Sequence, residues 1–284
     1  MLLYLILGLT ALSVTCQDIF KKKFNQKSNN GAFFFSGMIA LFAMLFFIAI
    51  NRDWRYSLPQ LCYSAMFALC YASATLFAVL AIKYGSLAKT TLIVSCSLLI
   101  PSFYGILFLH EPVGISLVVG LILLIVALIM INYEKDTTPA TLKWVVFVIL
   151  AFIGNGMCST VQKIEQNKFG TSGQNVFMIV ALGMVTVILL MSSLVSKEEK
   201  GHHKQIFRVG WIWAMLCGFF NGMVNFLVLY LNPRLPASVM FPVISAGSVV
   251  LVFLYAVLIQ REKFTPRQML GYAIGVISII LLNL

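Results

Sequence analysis

Asn155, Ser159 and Gln162 stand at i, i+4 and i+7 of one apolar run, which brings all three to a single helical face. Thr10, Ser13 and Gln17 make a second stripe near the start of the chain. At an offset of 145 residues, Thr10 falls on Asn155 and Gln17 on Gln162. Other apolar runs carry polar pairs about one turn apart: Tyr71 with Thr75, Thr91 with Ser95, Asn221 with Asn225, and Ser245 with Ser248. Amides, hydroxyls and a phenol donate and accept hydrogen bonds without changing charge near neutral pH, so this set fits the binding of a polar solute. Acid–base or nucleophilic chemistry needs clustered carboxylates or histidines, and no run holds two acids, or an acid with a histidine, at its centre. We therefore expect no enzyme and no cofactor or metal. The candidate substrate-binding residues are Thr10, Ser13, Tyr71, Thr75, Ser95, Asn155, Ser159, Asn221, Asn225 and Ser245. For single hydroxyls the competing reading is interhelical hydrogen bonding. Two asparagines in register, each with four hydrogen-bonding sites to satisfy, argue more strongly for a wet face.

Two acids occur in a repeated phrase. "LHEP" carries Glu111 and "QREK" carries Glu262, each between apolar runs and each followed nine residues later by a glycine, Gly120 and Gly271. In such a hairpin an acid complements the dipole of the helix that follows, by about 0.3–1 kcal/mol, or forms a salt bridge that gates a passage. Both acids are hairpin or gate candidates. Pro101, inside an apolar run, removes a backbone hydrogen bond and should kink its helix. Gly271 and Gly275 form a GxxxG motif for close helix packing, within the chain or between copies.

The elements that must position these residues follow from composition. The chain of 284 residues is 61% hydrophobic and 10% charged, against roughly 25% charged in soluble domains. A helix needs roughly 20 apolar residues to cross a bilayer, and polar breaks divide the chain into spans at about 1–17, 32–50, 58–82, 87–109, 113–132, 141–162, 174–195, 209–231, 236–259 and 266–283. The expected fold is an all-α membrane protein of ten transmembrane helices. The first run has no basic residue before it and no small-residue cleavage site after it, so it reads as a span rather than a leader. Six cysteines fall inside apolar runs and read as small hydrophobes. The net charge of +11 is scattered through short loops, which fits topology-setting against lipid rather than nucleic-acid binding.

The second half matches the first well beyond the glutamates. "QDIFKKKF" lies over "QKIEQNKF" at an offset of 145, Ala65, Met66, Phe77 and Ala88 over Ala214, Met215, Phe226 and Ala237 at 149, and the glutamate phrases match at 151. This predicts a five-helix unit in two copies, residues 1–132 and 141–284 with a linker at 133–140, and an odd-numbered unit must insert its second copy inverted.

The five-plus-five pattern, the hairpins "LHEP" and "QREK", and the glycine-bearing span after each resemble the drug/metabolite transporter superfamily, EamA-like branch. The resemblance implies a cavity lined chiefly by spans 1, 3, 4, 6, 8 and 9, a peripheral fifth span in each repeat, and alternating access. The first span lacks the central carboxylate by which small multidrug resistance proteins couple protons to cation exchange, since Asp18 lies at its end and Lys163 at the matching place. We therefore expect a secondary transporter or exporter of a small neutral or zwitterionic organic metabolite in the cell membrane. A receptor or scaffold, or a lipid-processing enzyme, is the alternative. The expected partners are a small-molecule substrate and the bilayer, with the protein a monomer or homodimer. Odd-numbered loops hold 15 of the 20 Lys and Arg residues, so the positive-inside rule puts both termini outside, whereas ten-helix relatives typically keep them inside.

Overall fold

The computed structural model describes residues 2–28, 31–84, 90, 93–94, 96–132, 141–261 and 265–282. Among these residues there are ten α-helices and no strand: α1 Leu2–Asn25, α2 Ala32–Ile50, α3 Leu58–Tyr84, α4 Leu99–Phe108, α5 Ile115–Asn132, α6 Leu142–Phe169, α7 Gln174–Val195, α8 His203–Leu231, α9 Ala237–Tyr255 and α10 Pro266–Leu282. A 3₁₀ turn, Cys96–Leu98, leads into α4, and a π turn, Ala256–Gln260, closes α9. Seven of these helices are long and apolar enough to cross a membrane, the last with its π turn included, while α4, α5 and α10 are shorter apolar helices. The linker at 133–140 lies outside the described residues.

Several helices outrun the apolar spans that announce them. α1 continues through Lys21–Lys23 to Asn25, α6 runs on to Phe169, and α8 starts at His203. Charged residues do not stop a helix; caps and breakers do. At α6 the stop is Gly170, with φ 69°. α7 starts behind Gly173, with φ 71°, where a Cβ would stand 2.6 Å from the Arg55 carbonyl oxygen.

Two starts are closed by a glutamine that reaches back, the second as a full capping box. The Ser57 amide donates to Gln60 Oε1 at 3.0 Å ahead of α3. Ahead of α10 the Thr265 amide donates to Gln268 Oε1 at 3.0 Å, and the Gln268 amide returns a bond to Thr265 Oγ1 at 3.3 Å. Pro101 sits in the first turn of α4, directly behind the 3₁₀ turn Cys96–Leu98, whose Ser97 carbonyl its missing N–H cannot bond. The proline inside a helix is Pro242, in α9.

α3 packs along α6 and α1 along α8, while α2 lies against both α7 and α8 and α9 touches α1, α4 and α10. α5 and α10 pair at one side of the bundle. Their contact uses the glycines of the repeated phrase: a Cβ on Gly120 would press on Leu282 at 2.9 Å, and one on Gly271 on Ile131 at 2.9 Å. Ser278 Oγ donates to the Gly120 carbonyl at 2.9 Å. Gly275 faces Ala127. The GxxxG motif is thus engaged within the chain.

Candidate functional site

α1, α3, α6 and α8 surround a cavity of about 380 Å³, within the range of roughly 300–1,000 Å³ common for small-molecule sites. α6 supplies Asn155, Cys158, Ser159 and Gln162, and α8 supplies Asn221, Val224 and Asn225. From α3 come Phe67, Tyr71, Ala74, Thr75 and Ala78, and from α1 come Gln17 and Lys21; Val94 completes the wall. Two glycines hold α6 close to its neighbours. A Cβ on Gly154 would lie 2.8 Å from the Cys70 carbonyl oxygen, and one on Gly156 would lie 2.6 Å from that of Ser97.

A chain of amides joins the walls. Asn221 Nδ2 donates to Gln17 Oε1 at 3.2 Å, and Asn225 Nδ2 donates to the Asn221 carbonyl at 2.9 Å and to its Oδ1 at 3.2 Å. Across the cavity Asn155 Nδ2 donates to Ser97 Oγ at 2.6 Å, and Gln162 Nε2 faces Met178 Sδ at 3.9 Å. An amide has two donor hydrogens and two acceptor lone pairs, so these bonds fix the side chains and leave capacity for a solute. Tyr71 stands beside Asn221 and offers a ring for stacking. At one end Lys21 Nζ pairs with Asp18 at 3.5 Å, its side chain 46% exposed.

The structure therefore gathers Tyr71, Thr75, Asn155, Ser159, Asn221 and Asn225 into one place. It does not bring Thr10, Ser13 or Ser245 there. Thr10 and Ser13 are buried, and their hydroxyls donate to the carbonyls of Ile6 at 2.7 Å and Leu9 at 2.8 Å in their own helix. Ser245 lines a separate small void with Cys96, Leu99 and Pro242. Ser95 and Glu262 lie outside the described residues. Gln17 and Gln162, visible in the stripes but not among the candidates, do line the cavity. So does Lys21, which counts as a loop charge until α1 is seen to continue through it; its i+4 spacing from Gln17 is the signal that marks it.

Glu111 does not serve the helix that follows it. Its Oε1 accepts from the Ala237 amide at 2.8 Å and its Oε2 from the Ser238 amide at 2.9 Å, so it caps α9 instead of α5. Gly105 makes room, since a Cβ there would strike the carboxylate. At the opposite end of the bundle Glu199 does the same for α2, accepting from Phe33 at 2.8 Å and Phe34 at 2.9 Å. Burial pushes the Glu199 carboxyl up, and those two amides pull it back.

Beside the Glu111 cap is a buried polar cluster. Lys163 Nζ donates to the carbonyls of Asn232 at 2.5 Å and Leu235 at 3.2 Å. Gln60 Nε2 donates to Glu165 Oε1 at 3.0 Å and to the Ser172 carbonyl at 3.1 Å, and Gln166 Nε2 donates to the Leu229 carbonyl at 2.6 Å. These residues bind turns rather than the cavity.

The family described as sugar transport protein matches residues 5–283, nearly the whole chain. The chain belongs to the sugar transport protein family. This member is 29% identical over 191 residues to the glucose uptake protein GlcU of Bacillus subtilis (strain 168), a match covering 63% of this chain. The chain spans about 61% of the length of that curated relative. A solved structure described only as "Crystal structure of protein" superposes with a TM-score of 0.77 over 98% of this chain and 97% of its own, at 12% identity, which speaks for the fold alone. The family match and the seven long apolar helices make the chain a multi-pass integral protein of the cell membrane.

Proposed function

We propose that this protein takes up a neutral monosaccharide of the glucose type by alternating access through the α1/α3/α6/α8 cavity. The observation that carries the reading is the amide set of Gln17, Asn155, Gln162, Asn221 and Asn225 around one cavity, with hydroxyls between. A sugar presents hydroxyls all round its ring, each both donor and acceptor, and amides match both roles without imposing charge. Tyr71 and Phe67 supply apolar faces for the ring's C–H surface. The name of the Bacillus subtilis relative favours glucose and inward movement; the export direction suggested by the drug/metabolite resemblance has no further support. Placement of the fold in that superfamily, and its construction from two inverted five-helix copies, belong to the same proposal. The packing favours them: α1 on α8 mirrors α6 on α3, and α2 on α7 and α5 on α10 each mirror themselves.

Counterflow in proteoliposomes tests the function. Vesicles preloaded with unlabelled glucose should accumulate external labelled glucose, and a panel of monosaccharides, amino acids and quaternary amines should show competition by sugars alone. Competition by amino acids or amines with none by sugars would sink the sugar reading. Accumulation absent for every solute in the panel would sink it as well.

A further inference from the structure

The cavity ends, beyond Gln162 and Asn225, against buried structure. The turn between α8 and α9, residues 232–236, belongs to this end and is gripped on both its polar faces. Lys163, from α6, donates to the carbonyls of Asn232 and Leu235 as α8 finishes. Glu111, from the turn between α4 and α5, accepts from the amides of Ala237 and Ser238 as α9 begins. A cation meets carbonyls and an anion meets amides, each with the sign that the helix end favours. We infer that Lys163 and Glu111 are positioning residues of transport: together they latch the α8–α9 turn shut, and solute passes this end only when they let go.

The latch rests on the transporter reading above, and two observations make it a releasable seal rather than a permanent one. Buried polar atoms with no partner within the chain collect here: both amide atoms of Asn232 and Ser238 Oγ flank the turn, and Glu165 Oε2 and Gln166 Oε1 lie beside it on α6. Such atoms are costly in a closed interior, and water entering on opening would satisfy them. Opening therefore recovers part of what it loses. The two ends also differ. Asp18, which matches Lys163 at the offset of 145 residues, has its side chain 51% exposed at the other end and binds Lys21. One end sealed and the other accessible is the asymmetry that alternating access requires.

The test uses the full chain with its six native cysteines replaced and a single reporter, Asn225→Cys, at the deep end of the cavity. A membrane-impermeant maleimide is applied to intact cells and, separately, to inverted membrane vesicles, so that each side is sampled whatever the orientation. The parent should label from the Lys21 side and several-fold more slowly from the Glu111 side. Lys163→Met and Glu111→Gln should each speed labelling from the Glu111 side about tenfold, the effect of a modest population shift. Lys163→Arg, which keeps the charge and the donors, should stay near the parent. Unchanged sidedness in Lys163→Met and Glu111→Gln would overturn the latch, as would a parallel rise from both sides, which marks loosening of the whole bundle. Labelling of the parent from neither side would remove cavity and latch together. Glucose is read separately, by counterflow with the chain that keeps Asn225: the predicted sidedness without glucose counterflow keeps the latch and removes the sugar.

Discussion

Asn221 is the residue on which the amide chain turns, since it donates to Gln17 and receives Asn225 twice. If the cavity takes glucose as proposed, Asn221→Ala removes one of its contacts and frees both neighbours, so KM should rise about 10- to 100-fold, the equivalent of the roughly 1–3 kcal/mol attached to an unpaired buried polar group. Thr10→Val should leave KM within about twofold, because the hydroxyl it removes bonds only a carbonyl of its own helix in the structure. Comparable KM shifts in the two variants, measured by initial rates of uptake, would mean that Asn221 serves packing as Thr10 does. The same contrast explains what the sequence could tell. Helical spacing showed which polar residues share a face, and Asn155 with Ser159 on α6 and Asn221 with Asn225 on α8 line one cavity. Spacing does not say whether a hydroxyl turns outward or back onto its own backbone, and Thr10 and Ser13 took the second course.

Element ends are governed by few residues, and Gln60 belongs to two of them. Its Oε1 accepts from the Ser57 amide and hydroxyl at the start of α3, while its Nε2 holds Glu165 and the Ser172 carbonyl. Thr265 caps only α10. Thr265→Ala should therefore cost about 1 kcal/mol. Gln60→Leu should cost about 2–3 kcal/mol, because it leaves a buried carboxylate without its donor. Thermal melts of the purified protein would rank them, and an equal effect would mean that the Glu165 contact contributes nothing. The apolar spans located every one of the ten helices, and α2 and α7 ended where the apolar run ended. α1, α6 and α8 overran because hydropathy reports where lipid stops, whereas helices stop at caps and breakers such as Gly170. Nor could hydropathy reveal that Glu111 reaches across to α9, since a cap between elements leaves no local pattern.

At the scale of the whole molecule, charge and fold speak together. Lys163, counted among the few basic residues of the even-numbered loops, is buried in α6 against carbonyls. Removing it from the count strengthens the bias that puts the Lys21 end in the cytoplasm, and by that orientation the accessible end of the cavity faces inward. Two helices are long. α6 and α8, with 28 and 29 residues, run about 42–44 Å at 1.5 Å per residue. A typical hydrocarbon core is about 30 Å thick. Each therefore tilts or holds about 12–14 Å of helix beyond the hydrocarbon. The protein should thus tolerate thick membranes better than thin ones. In phosphatidylcholine vesicles of increasing acyl-chain length, its melting temperature should rise with thickness; a maximum in the thinnest bilayers followed by a steady fall would show that both ends of these helices belong to the aqueous phase.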